Sequence, residues 1–134
     1  MDFEALREAI DLAAAVGHIF VATSGADGLP HLAAASALTG VADDQVLVTE
    51  WFCPGSITNL RDNPRVSLVV WDTGADKGYQ LLGEVTEIED VGVLDGYDPD
   101  LESTSPAPQV ERRLLVRVGK VIQFTRAPHS DLEQ

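Results

Sequence analysis

The segment Pro54-Gly55-Ser56-Ile57-Thr58-Asn59-Leu60-Arg61-Asp62-Asn63-Pro64 runs directly into Arg65-Val66-Ser67-Leu68-Val69-Val70-Trp71. Pro54 and Gly55 break the chain that precedes them, and Ser56 is placed to cap a short helix from Ile57 to about Asp62. Asn63-Pro64 ends that helix, because a residue before proline avoids the helical region. The residues from Arg65 to Trp71 are rich in Val and Leu and read as a strand, as does Gln45 to Trp51 on the other side. One short helix set between two strands is the pattern from which the rest is read.

Working back toward the N-terminus, His18 to Ser24 reads as a strand, and Gly25-Ala26-Asp27-Gly28-Leu29-Pro30 supplies a turn with the Asp-Gly hairpin signal. The next run, His31 to Leu38, carries little side-chain volume. Small residues leave the backbone open to close approach, either by a packed neighbour or by a flat ligand. Ahead of these lies an amphipathic helix, with Phe3, Leu6, Ile10, Ala13 and Ala14 on its apolar face and Gly17 as its stop. Toward the C-terminus, Gly78 to Ile88 and Arg113 to Phe124 read as a fifth and a sixth strand, the latter bent at Gly119. Between them, Glu89 to Gln109 is acidic and turn-rich and reads as a surface connection with one helical turn. The pattern predicts a mainly β fold, a six-stranded antiparallel barrel with short flanking helices, in one domain over residues 1–126 with a flexible tail at 127–134.

Composition narrows the function classes. The net charge is −13, and no Lys or Arg occurs between Arg7 and Arg61, so the basic stripe that nucleic acid requires is missing from that half. No apolar run reaches the ~20 residues that cross a bilayer. Acid near the N-terminus and a lone Cys53 fit a cytoplasmic setting, without a disulfide or a cysteine-based zinc site. His18, His31 and His129 have no ligand-like spacing and read as structural or solvated, so no metal is expected. No G-x-S-x-G, Walker loop or G-x-G-x-x-G is present. Trp51, Phe52, Trp71 and Tyr79 are suited either to a barrel core or to stacking on a ligand. The turn before the short helix has the most chemical content. Amides at a helix N-terminus attract anions, and Ser56 and Thr58 hydroxyls can add to them, although an ordinary N-cap has the same sequence.

Taken in order, Ile19-Phe20-Val21-Ala22-Thr23, Asp27-Gly28-Leu29-Pro30-His31, Asn59 to Leu68 and Gly78-Tyr79-Gln80-Leu81-Leu82-Gly83 resemble the FMN-binding split barrels related to pyridoxamine 5′-phosphate oxidase. The resemblance implies a homodimer with FMN in grooves between subunits, and redox chemistry on a small substrate. It implies that Ala33, Ala34, Ala35 and Ser36 run beside the flavin and that Thr49, Glu50 and Trp51 lie near the ring and ribityl chain. It also implies that Gly55, Ser56 and Ile57 form the phosphate site, and that Gln80 faces the isoalloxazine. No catalytic acid or base is assigned. The alternatives are a flavin-free dimeric binding module, or the same barrel with a deazaflavin or haem. The family's basic residue falls on Gly55 here, which removes a charge-assisted bond of about 1.5–3 kcal/mol. Arg61, Arg65, or Arg112, Arg113 or Arg117 of the partner subunit are the cations left to replace it.

Overall fold

The computed structural model describes residues 1–51, 54–93 and 110–134. Helix α1 (Phe3–Val16) leads into β1 (Ile19–Ser24), β2 (Pro30–Ala35), β3 (Ala37–Ala42) and β4 (Gln45–Trp51). Helix α2 (Pro54–Asp62) follows, then β5 (Arg65–Asp72), β6 (Lys77–Val93), β7 (Val110–Thr125) and β8 (Ser130–Glu133). All pairings are antiparallel, in the order β2-β1-β5-β6-β7-β4-β3, with β8 added to β7. The fold is mainly β, as expected, with eight strands among the described residues where six were expected.

Two of the differences arise from single residues. The expected strand from His31 to Leu38 is bent at Ser36, so that β2 pairs with β1 while β3 pairs with β4. One stretch of chain thus joins the two ends of the sheet and closes it into a barrel. The tail beyond Arg126 was expected to be frayed. Instead Ser130–Glu133 pairs with Ile122 to Thr125, after a turn in which the Asp76 carboxylate accepts from the Arg126 and Ala127 amides at 2.8 Å each. Strands β6 and β7 are also longer than expected. Glu89 to Val93 continue the ladder against Val110 to Arg113, and Arg112 pairs with Asp90 at 3.0 Å. The expected helical turn of that connection, and the positions of Phe52 and Cys53, lie outside the described residues.

Alternation places the core. Ile19, Val21, Val66, Leu68, Val70, Tyr79, Leu81, Leu114 and Val116 point inward, and each is at most 3% exposed. Helix α1 covers the barrel with Ala5, Leu6, Ala9 and Ala13, a stripe rotated from the expected one; Phe3 is 49% exposed. Its start is fixed by Asp2, whose carboxylate accepts from the Glu4 and Ala5 amides, and its end by Gly17 at φ 87°. No helix of the described residues is long and apolar enough to cross a membrane.

On the outer side, Phe20, Val69, Gln80 and Ile122 stand in register across four strands. Beside them Trp71 and Phe124 stack with ring centroids 5.3 Å apart. Their rings close over Gly78, where a Cβ would run into both.

Candidate functional site

Helix α2 lies against the end of the β1–β2 hairpin, and the motif around Asn59 explains how it is held. The Asn59 amide donates to Thr23 Oγ1 at 3.1 Å, and its carbonyl oxygen approaches Gly25 so closely that a Cβ there would stand 2.6 Å away. Leu60 enters the core. Asn63 Oδ1 accepts from the Arg65 amide at 3.1 Å, and the Pro64 carbonyl accepts from Val85 at 2.8 Å, which aligns β5 beside β6. The motif therefore positions the helix and the strand after it.

Helix α2 begins at Pro54, so Ser56 is within its first turn rather than at its cap. Proline suits the first helical position because it lacks the N–H that would go unpaired there. Pro54 and Gly55 are exposed, while Ser56 is fully buried and its hydroxyl has no hydrogen-bond partner among the described residues. Ile57 is packed in the core. Thr58 donates back to the Pro54 carbonyl at 3.2 Å and so contributes nothing to the open end of the helix. The imidazole of His31 lies on Gly55: a Cβ at Gly55 would stand 3.2 Å from His31 Cε1 and 3.3 Å from Nε2.

The barrel's closing seam contains most of the expected contact residues. Ala34 and Ser36 are exposed, Ala33 is half-buried, and Ala35 points into the core. Thr49 pairs with Ala37 across the seam and is half-buried; Glu50 and Trp51 complete β4 just before α2. Gln80 is not brought to this group within one chain. It lies on the outer face of β6, three strands from β2, and donates to Ser67 Oγ at 2.8 Å. A groove of about 540 Å³ adjoins it, lined by Ala22, Ser24, Arg65, Ser67, Leu82 and Glu84 among others. Sequence reasoning missed both this groove and His31. The period-2 alternation of β1, β5 and β6 carried a signal for the groove. The contact between His31 and Gly55 joins residues far apart in sequence and left none.

Of the arginines considered as phosphate partners, Arg112 is engaged by Asp90, and Arg65 stands opposite Glu84 in register. Arg113 has a buried Nε without a partner among the described residues. His18 packs edge-on against Phe20.

A closed antiparallel barrel with a helix set across one end, and small residues along its seam, defines a class of split-barrel proteins. Within that class, the model of the pyridoxamine 5′-phosphate oxidase family matches residues 4–123, and the chain belongs to that family. A search of curated protein sequences gave no match. Among solved structures, the chain is similar to a Clostridium acetobutylicum protein related to general stress protein 26 of B. subtilis, with 17% identity and a TM-score of 0.68 over 100% of this chain and 96% of that one. It is similar to an FMN-binding protein from Syntrophomonas wolfei, with 19% identity and a TM-score of 0.66 over 92% and 88% of the two chains. A pyridoxamine 5′-phosphate oxidase-related, FMN-binding protein from Nostoc punctiforme shares 11% identity and a TM-score of 0.64 over 97% and 87%. These likenesses support the fold.

Proposed function

We propose that this chain is an FMN-binding flavoprotein that works as a homodimer in oxidation–reduction on a small substrate. The observation that carries the reading is the first turn of α2. There the buried Ser56 hydroxyl has no hydrogen-bond partner among the described residues, and it follows the exposed Gly55. A buried hydroxyl without a partner costs about 1–3 kcal/mol, and a phosphate group would supply the missing acceptor. The first-turn amides favour the same anion through the helix dipole.

The other residues fit the rest of the ligand. Ala34 and Ser36 are small, exposed residues at the seam, and Thr49 adds a half-buried hydroxyl-bearing side chain on β4. When bound, the flavin supplies the electron-transfer chemistry, and the protein supplies placement and exclusion of water. Gln80 of the partner subunit is the residue we assign to the ring from across the interface, because within one chain Gln80 faces away from the seam. The half-buried outer row of Phe20, Val69 and Ile122 supports pairing of two copies on that face.

Visible absorption of the purified protein, followed by titration with FMN, tests the reading. A flavin spectrum, or saturable quenching of added FMN at micromolar concentration, is the expected result. A colourless protein that takes up no FMN overturns it. Uptake of a deazaflavin or haem in its place would assign the barrel to that ligand.

A further inference from the structure

We propose that His31 replaces the missing lysine or arginine of the phosphate site, with its imidazole donating to the phosphate of the bound flavin. The inference rests on the flavin reading and adds the residue that recognises the phosphate. His31 is the second residue of β2 and stands opposite Thr23, which is itself bonded to Asn59 of α2. The hairpin end and the helix are therefore fixed against each other, and this sets the imidazole on Gly55. The ring occupies the space that a side chain at position 55 would enter, with contacts of 3.2 and 3.3 Å to a Cβ there. The absence of a base at position 55 and the presence of an imidazole over it are two sides of one packing arrangement.

Two side-chain donors at this turn have no partner among the described residues. His31 is exposed and forms no hydrogen bond or ion pair among the described residues. The Ser56 hydroxyl has no partner among the described residues, and α2, with nine residues, presents its N-terminal amides at the same place. The sequence leaves few other sources of charge. Between Arg7 and Arg61 the only side chains that can carry a positive charge are His18 and His31, and His18 packs against Phe20. An imidazole offers one N–H when neutral and two when protonated, so it can bond a phosphate oxygen in either state.

Comparison of FMN with riboflavin isolates the phosphate, since the two share the ring and the ribityl chain. Dissociation constants for both would be measured by fluorescence quenching on the 134-residue chain, in wild type, His31→Ala, His31→Gln and His31→Lys. In His31→Ala we expect the preference for FMN over riboflavin to fall by about tenfold to a hundredfold, with riboflavin affinity unchanged. His31→Lys should restore the preference, and His31→Gln should restore part of it. The 31P resonance of bound FMN should move in His31→Ala. If FMN still binds and its preference over riboflavin is the same in His31→Ala as in wild type, the proposal is overturned while the flavin reading stands. Loss of the preference in Arg113→Ala, with His31→Ala unchanged, would assign the charge to Arg113 instead. A wild type that binds neither flavin overturns both readings.

Discussion

At Gly78 the absent side chain matters more than any present one. Trp71 and Phe124 stack nearly parallel, at 8° between planes, across the strand position where Gly78 leaves room for them. A methyl group there would have to push two large rings apart on the outer face. Gly78→Ala should therefore destabilise the fold by about 1–3 kcal/mol, the usual range for overpacking. Urea unfolding would measure the loss, and near-UV circular dichroism would show the weakened stack. An unchanged midpoint would mean that the rings move apart freely. The sequence showed that Asn59 and the Asn63-Pro64 pair belong to a meaningful series, yet their physical task was hidden. Asn59 acts on Thr23, 36 residues away, and only the folded chain brings the two together. His31 shows the same limit more sharply. Read along the chain it is an isolated histidine, and its neighbour Gly55 is visible only in three dimensions.

The elements were legible where local chemistry decides them and obscure where pairing does. The stop of α1 at Gly17, the Asp-Gly turn and the strand β5 could each be read from a few adjacent residues, whereas the start of α2 lies ahead of the expected cap at Ser56. The bend at Ser36 could not, because it exists to let one run of small residues serve two different strands. Strands β6 and β7 extend past their expected ends for a similar reason, since cross-strand partners such as Arg112 and Asp90 hold residues with little strand propensity of their own. The tie between α1 and β6 is a further non-local bond. The buried Tyr79 donates its hydroxyl to Glu8 Oε2 at 2.6 Å, and Lys77 Nζ lies 3.9 Å from the same oxygen. Burial, and after it the bond to Glu8, holds the Tyr79 phenol above its ordinary value. The Lys77 amine is also raised, above all by its hydrogen bond with Tyr79. In both cases the native state keeps a proton that the unfolded chain releases near pH 10. Their contribution to stability is thus complete below about pH 10 and is lost as pH rises through the folded values. Tyr79→Phe should cost about 1 kcal/mol at neutral pH and should flatten the loss of stability above pH 10. Urea midpoints at pH 7 and pH 11 would check both, and equal slopes in the two proteins would remove the tie from the account.

Over the whole molecule the outer face and the charge act against each other. Phe20, Val69 and Ile122 form an apolar row on one side, flanked by Trp71, Phe124 and Leu82, all only half-buried within one chain. A second copy covering this row would also bring its Gln80 toward the interface. Each chain carries a net charge of −13, so two copies repel while their apolar faces attract. Salt screens the repulsion and leaves the hydrophobic term, and the proposed homodimer should therefore tighten as ionic strength rises. Light scattering should give about twice the 14.4 kDa chain mass at micromolar concentration, with dissociation on dilution most evident at low salt. Val69→Glu places a charge in the centre of the row at a position outside the barrel core. It should shift the protein to the monomer while leaving the thermal transition of the isolated chain within a few degrees. If FMN is held between subunits, the same variant should lose flavin in step with the dimer, although position 69 is not among the residues assigned to the ligand. A Val69→Glu protein that remains dimeric and yellow would move the interface to another face of the barrel. One that is monomeric and still yellow would place the whole flavin site within a single chain and remove Gln80 of the partner subunit from it.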